Sequence, residues 1–333
     1  MNQKETENLF DQLRQIKVAV VGDVMLDTYW WGTAERISPE APVPVVTLER
    51  TEHRVGGAAN VALNAIALAN NVSLLSVIGS DAEGLLLKEE LGKKGIDIHG
   101  IMASESRKTT CKTRVISRNQ QMIRLDRETT TDLSETDQTQ FLELCRLHLQ
   151  EYKPDVLIFE DYNKGVLTAR IIKELLALCQ SMNIFTAVDP KQKNFFSYKG
   201  VGLFKPNLKE VREGLRYEKT EVNQDSLAEM HDQLFKQLQH ELSLITLSEK
   251  GVFYQQKGGG PFMLPTYRRN IADVSGAGDT VIAVASLVFT ATKNPALMAS
   301  IANLAGGLVC EEVGTAPINR ERLISECIRQ SIS

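Results

Sequence analysis

Short runs of apolar, β-branched residues alternate along the chain with longer stretches whose apolar positions recur at helical spacing. Residues 17–22 form the first such run, end at a glycine, and predict a buried strand. Residues 57–70 are alanine-rich and helical, 73–78 return to a strand, and 81–94 predict a helix closed by Gly95. The rhythm resumes with strand 155–160, helix 167–182, strands 184–189 and 201–205, and a helix opening at Asn207. A helix over 226–240, a strand over 242–247, helices over 276–290 and 295–312, and a last helix from Asn319 complete it. Strands alternating with helices through short links predict an α/β fold. Its sheet is doubly wound, mostly parallel, and covered by helices on both faces.

Two segments break the rhythm. Residues 39–49 carry three prolines and suit only an edge or protruding strand. Residues 109–127 alternate polar and apolar positions in two runs, 111–117 and 121–127, which predicts an antiparallel hairpin. Both should leave the parallel sheet and pair with each other as a small β lid, drawn from about 28–55 and 107–128 of one domain spanning 1–333. The adjacent Trp30 and Trp31 would lie on that lid, against a bound ligand, at a dimer contact or in the core. Gly258, Gly259 and Gly260 read as a loop between strands.

The chemistry gathers near Asp273-Val274-Ser275-Gly276-Ala277-Gly278-Asp279-Thr280, which precedes an apolar helical run. Such a helix start presents unpaired N–H groups and a partial positive charge, so Gly276, Ala277 and Gly278 are candidates for an anion hole. A carboxylate beside an anion hole repels a bound phosphate, so Asp279 fits best as a general base. The alternative is an ordinary helix cap. The segment is not a dinucleotide fingerprint, because Val281 stands where the third glycine belongs, and no Walker loop occurs. Gly56 and Gly57 let a ligand approach the backbone closely, and Asn60 just beyond can both donate and accept. Asp27, past the first strand, can accept two hydroxyl hydrogen bonds. Asn207 and Glu210 have the spacing of a capping box.

A formal net charge of −4 argues against nucleic-acid or membrane partners. The five scattered cysteines contain no CxxC pair and the five histidines no HExxH, which predicts free thiols, a cytoplasmic setting and no zinc site. Residues 1–15 lack the apolar core of a signal peptide, and no apolar run reaches membrane-spanning length.

Taken with that pattern, Gly56-Gly57-Ala58-Ala59-Asn60, Asn207-Leu208-Lys209-Glu210 and the segment from Asp273 to Asp279 resemble the ribokinase/PfkB family of sugar kinases, in the right order over nearly the whole chain. Val284 departs from the small residue usual there. The likeness extends to the branch that phosphorylates D-glycero-β-D-manno-heptose 7-phosphate. It is carried by Gly22 to Gly32, Arg36 to Val46, Ser117 to Asp126, and Asp161-Tyr162-Asn163-Lys164-Gly165. The resemblance implies a ribokinase-like fold and ATP with Mg²⁺ as cofactors. Asn207 and Glu210 would lie near the phosphates, with Glu210 holding the metal through water. It implies that Thr246, Ser248, Gly251 and Asn303 border the nucleotide, and that a monovalent cation such as K⁺ can bind at carbonyls near Asp273 and Gly314. Asp27, Gly56, Gly57, Asn60 and Asp161 would hold the sugar. Arg36, Arg118, Arg124 and Lys164 are candidates for its phosphate. The product would be the 1,7-bisphosphate, a precursor of ADP-heptose and so of the lipopolysaccharide core. No HxGH motif occurs, so adenylyl transfer is expected on a separate polypeptide. A homodimer through the lid is the expected assembly. Two rivals stand beside this reading: a kinase for another sugar or sugar phosphate, and a silent sugar-sensing regulator.

Overall fold

The computed structural model describes residues 1–118, 120–267 and 269–332. An amphipathic helix α1 (Gln3–Gln15) leads into β1 (Lys17–Gly22), which is buried everywhere but its first residue. A strand covered on both faces reads as a continuous apolar run, and β1 does so because it lies in the middle of the main sheet. Val18 and Val20 point into one core, with side chains from α1, α2 (Ala58–Ile66) and α3 (Ala82–Lys93). The same core takes in α8 (Ala277–Thr292), α9 (Pro295–Val309) and α10 (Arg320–Arg329). Ala19 and Val21 point into a second core, against α4 (Glu135–Tyr152), α5 (Ala169–Ser181), α6 (Leu208–Leu215) and α7 (Gln224–Leu238).

The other strands of this sheet are β4 (Asn71–Gly79), β5 (Ile101–Ser104), β8 (Val156–Glu160), β9 (Phe185–Asp189), β10 (Leu203–Phe204), β11 (Leu242–Thr246), β12 (Val252–Gln256) and β13 (Phe262–Leu264). Their order is β13-β12-β11-β10-β9-β8-β1-β4-β5. All neighbours are parallel except β12 and β13, which return antiparallel at one edge. From β1 the chain builds outward to β4 and β5, and later restarts on β1's other side with β8. That reversal opens a crevice at the carboxyl ends of β1 and β8, where such sheets bind ligands.

A second sheet of four strands stands on the crevice: β3 (Pro44–Gly57), β2 (Val24–Ile37), β6 (Thr110–Ser117) and β7 (Gln120–Arg127), in that order. The proline-rich segment enters edge strand β3, and the hairpin forms as β6 and β7. The two do not pair directly, as the sequence pattern suggested. β2 lies between them, antiparallel to β3 and parallel to β6. Its inner half, Val24 to Thr28, is buried on both faces and a bulge skips Glu35 further out, which hides a fourteen-residue strand from a period-two reading. The turn residue Asn119 lies outside the described residues. β7 is exposed along its whole length. Helices α1 and α4 are further additions: α4 buries only Phe141, Leu142, Cys145 and Leu149, a thin stripe in a polar segment. Among the described residues no helix is long and apolar enough to cross a membrane.

Candidate active site

Parallel strands deliver their last residues to the crevice. β8 ends at Glu160 and β9 at Asp189, and Lys205 follows β10; all three are buried. Facing them is the first turn of α8. Its cap, Gly276, has φ 78°, a left-handed conformation that suits glycine, and a Cβ there would lie 2.8 Å from the Asn60 amide nitrogen. The N–H of Ala277 is turned toward the Val274 carbonyl at 3.3 Å. The N–H groups of Gly278 and Asp279 therefore head the helix without an acceptor among the described residues. An apolar helix buried on every side forms here because residues 279–289 of α8 all pack inside the protein.

Asp279 is 4% exposed. Asn60 Nδ2 donates to its Oδ2 at 2.7 Å, and the Tyr162 hydroxyl donates to its Oδ1 at 3.0 Å. Burial pushes its carboxyl up to about 6. The Asn60 and Tyr162 hydrogen bonds and the Lys205 ammonium pull downward, and the charge of Asp189 adds to the rise. The two helices that meet here are locked together: Thr280 Oγ1 donates to Asn64 Oδ1 at 2.9 Å, and Asn64 Nδ2 donates to the Asn60 carbonyl. Tyr162 is held by its loop. The Asp23 carboxylate, between β1 and β2, accepts the N–H groups of Tyr162, Lys164 and Val166.

Glu160, Asp189 and Asp279 each offer an oxygen within 4.8 Å of the others. Lys205 Nζ lies 2.6 Å from Asp189 Oδ2, and Lys191 Nζ bridges toward Asp189 Oδ1 at 3.8 Å and Glu210 Oε1 at 2.7 Å. Burial, then repulsion from Asp189 and Asp279, holds the Glu160 carboxyl well above the usual range. Both Glu160 oxygens and Asp189 Oδ1 are buried and lack a hydrogen-bond partner among the described residues. Orphaned hard oxygens beside a helix start with unpaired N–H groups suit a divalent cation.

Asn207 and Glu210 form the capping box of α6: Asn207 Oδ1 accepts the Glu210 N–H at 2.9 Å, and Glu210 Oε2 accepts the Asn207 N–H at 2.8 Å. With Oε1 on Lys191, both Glu210 oxygens are engaged. Asn207 is bridged to Thr246, the last residue of β11. Ser248 and Gly251 follow with φ 55° and 94°, and a Cβ on Gly251 would sit 2.0 Å from the Leu264 carbonyl. Asn303 Nδ2 donates to the Pro265 carbonyl, facing the same edge from α9. The Gly314 N–H donates to Asp273 Oδ2, and the neighbouring Val313 carbonyl accepts from Arg54 of β3.

Asp27 is buried on β2. Arg114 Nη1 donates to its Oδ1 at 2.6 Å, and a Cβ on Gly56 would come within 2.7 Å of its Oδ2. The absent side chain of Gly56 thus keeps that oxygen clear. Gly57 has φ 62°, and a Cβ there would strike the Asp23 carbonyl.

The expected basic and acidic contacts divide sharply. Asp161 is fully buried; its oxygens accept from the Asn163 N–H, Asn194 Nδ2 and the Tyr198 hydroxyl, so its bonds are internal. A polar residue just past a strand looks exposed in sequence, and its role here is to brace the loop that carries Tyr162. Lys164 pairs with Glu128, and Arg124 holds Asp126 through two nitrogens. Arg36 and Arg118 are exposed, at the outer end of β2 and the hairpin turn. Glu160, Asp189, Lys191, Lys205, Tyr162 and Arg114 were not singled out by sequence. The available signal was position, since each of the first four stands at or just past the carboxyl end of a parallel strand.

The fold is that of solved sugar kinases. It resembles the ribokinase of Arabidopsis thaliana solved with ribose and ATP (TM-score 0.70, 17% identity, 93% of this chain and 99% of that one). It also resembles phosphofructokinase-2 of Escherichia coli solved with potassium (TM-score 0.76, 16% identity, 95% and 99%). Residues 15–322 match the pfkB family carbohydrate kinase description, and the chain belongs to that family of phosphotransferases with alcohol acceptors. Among curated relatives it is 38% identical to the bifunctional protein HldE of Geobacter sulfurreducens over 326 residues, 97% of this chain and 65% of that protein. The HldE of Citrifermentans bemidjiense is 38% identical over 328 residues, 98% and 66%. The chain thus spans about two thirds of the length of these relatives.

Proposed function

We propose that the protein transfers the γ-phosphoryl group of ATP to the anomeric hydroxyl of D-glycero-β-D-manno-heptose 7-phosphate. The product would be the 1,7-bisphosphate on the route to ADP-heptose and the lipopolysaccharide core. The observation that carries the chemistry is Asp279: a buried carboxylate at a helix start, gripped on both oxygens, beside free N–H groups. The substrate reading is supported by the four heptose-kinase-like segments and by the relatives bearing the HldE name.

In this reading Asp279 takes the proton of the anomeric hydroxyl on a lone pair that Asn60 and Tyr162 leave free. Asn60 and Tyr162 fix the carboxylate's direction, and Asp27, beside the gap at Gly56, orients the sugar hydroxyls. The N–H groups of Gly278 and Asp279 steady charge on the phosphoryl oxygens, a role worth about 3 to 4 kcal/mol per donor in comparable oxyanion sites. Lys191 and Lys205 add positive charge at the phosphate end. Mg²⁺, when bound, neutralises phosphate charge; Glu210 through water, with the unpartnered oxygens of Glu160 and Asp189, would hold it. Thr246, Ser248, Gly251 and Asn303 border the nucleotide. Carbonyls near Asp273 and Gly314 are the candidates for a monovalent cation. Cytoplasmic ATP sets the compartment.

A homodimer through the lid is supported by the apolar outer face, where Trp30, Ile123 and Leu125 are exposed. Leu125→Lys should then lower the sedimenting mass. A substrate panel tests the function: heptose 7-phosphate against ribose, fructose and fructose phosphates, reading which hydroxyl is phosphorylated. Turnover confined to another sugar would assign a different kinase, and no ATP turnover with any sugar would leave the regulator.

A further inference from the structure

Residues paired across neighbouring strands share one face of a sheet, and this divides the lid in two. Tyr29 pairs with Arg114, and Arg114 with Arg124; Asp27 pairs with Arg54 and with Lys112. These six residues therefore line one face, and that face looks down on the crevice. Arg54 reaches across to the Val313 carbonyl at 3.0 Å, and a Cβ on Gly314 would come within 3.8 Å of the Tyr29 hydroxyl. Asp27 on the same face adjoins Gly56, four residues before the Asn60 that grips Asp279.

On this face two guanidinium-bearing residues stand directly opposite each other. Like charges so placed are destabilising in a sheet. Each is now balanced separately, Arg114 by Asp27 at 2.6 Å and Arg124 by Asp126 at 2.8 and 3.0 Å. Arg114 also stacks over Tyr29, 5.2 Å from the ring centre, which holds its fork on the crevice side. We propose that Arg114 and Arg124 form a clamp for the phosphate that the sugar substrate carries at the end remote from its reacting hydroxyl. This rests on the sugar-phosphate reading above.

Reach separates these arginines from Arg36 and Arg118; Arg54 and Lys112 lie level with Asp27, and Arg54 is already held by Glu52 and the Val313 carbonyl. Arg114 pairs with Tyr29, two residues from Asp27, or about 7 Å along the strand. Arg36 lies nine residues beyond Asp27 on β2, about 30 Å away, farther than a seven-carbon sugar extends. Arg118 follows Ser117, which pairs with Gly32, about 17 Å beyond Asp27. Binding also couples the two ends of the substrate. Asp27 Oδ1 is occupied by Arg114, so a phosphate that draws Arg114 away frees that oxygen for a sugar hydroxyl. A neutral sugar supplies no such exchange and meets Asp27 with Oδ1 already engaged and Oδ2 alone clear. The clamp thus favours phosphorylated sugars by a direct contact and by the release of Asp27.

The test compares heptose 7-phosphate with the dephosphorylated heptose as acceptors, for the wild type, Arg114→Gln and Arg124→Gln. The expected result is a fall of about 10- to 100-fold per variant in the ratio of kcat/KM for the phosphorylated over the neutral sugar. It should come from KM for the sugar phosphate, with KM for ATP held; the melting temperature should hold in Arg124→Gln, whose pair with Asp126 is exposed, and fall in Arg114→Gln, which unpairs buried Asp27. An unchanged ratio in both variants, or equal losses on both sugars, overturns the clamp while leaving the heptose reading standing. If the wild type ignores heptose 7-phosphate but uses another sugar phosphate, the heptose reading falls and the same ratio on that sugar decides the clamp. If it uses only neutral sugars, both fall.

Discussion

Asn60 and Asp279, 219 positions apart in sequence, meet through a 2.7 Å hydrogen bond between the amide nitrogen of one and Oδ2 of the other. The contact ties α2, which starts straight after the lid strand β3, to α8, which carries the proposed base. A substitution at either end should therefore be felt in the chemistry and in the fold.

Replacing Asp279 with Asn should cut kcat by ~10²- to 10⁴-fold while the dissociation constant for ATP stays near native, measured by steady-state kinetics and titration calorimetry. The same substitution should stabilise the protein. A carboxyl raised from 3.8 to about 6 by burial folds without cost while protonated and at growing cost as pH rises from about 4 to 6. At pH 7 the relief is at most about 3 kcal/mol, seen as a higher denaturation midpoint. Near-native turnover in this variant would remove Asp279 from the base role.

A base must be ionised to accept a proton, so kcat/KM should rise with pH through an acid limb near 6. The Tyr162 hydroxyl stabilises the ionised form, so Tyr162→Phe should move that limb upward, by about one unit for the loss of one charge-assisted hydrogen bond. A limb that stays put, read from rates between pH 5 and 9, would show that the hydroxyl does not tune the carboxylate.

Lys205 and Asp189 form a buried pair at 2.6 Å with almost no solvent exposure. Lys205→Met removes the cation and leaves the carboxylate among Glu160 and Asp279. The expected loss is about 3 to 5 kcal/mol of stability at pH 7, by chemical denaturation. The loss should shrink in acid, where the stranded carboxylates protonate.

Gly56→Ala places a methyl 2.7 Å from Asp27 Oδ2 and 2.9 Å from Met25 Cγ. Asp27 must then shift. KM for the sugar should rise about tenfold or more, with KM for ATP unaffected, because the nearest neighbours of the added methyl are Asp27 and Met25 of the lid.

How much of this was readable from the chain depends on whether the signal is local. The helix start that carries Asp279 was legible because a glycine-rich head and an apolar run adjoin it within a dozen residues. Strands β1, β8 and β9 were legible because burial on both faces leaves nothing but apolar residues between turns. β2 was not, since its inner half is buried on both faces and a bulge follows Ala34, so no polar–apolar alternation marks it. Glu160, Asp189 and Lys205 are single polar residues at strand ends, and only the parallel register gathers them. Asp161 illustrates the opposite failure: its neighbours in sequence are loop-like, and the groups that bury it, Asn194 and Tyr198, lie 33 and 37 positions away.

β1 passes into β2 with Asp23 alone between them, and that residue is itself fastened to the loop bearing Tyr162. The flap, about 45 Å long, is anchored only at its inner end, through Asp23, through β3 where it runs into α2, and through the ends of β6 and β7, with Val24 to Thr28 buried there. Tilting it by roughly a dozen degrees would carry its tip about 10 Å, ample for a sugar to enter, yet would scarcely displace atoms at the pivot. A tilt of that kind would separate admission from alignment: wide travel at the rim, stillness at the reacting centre.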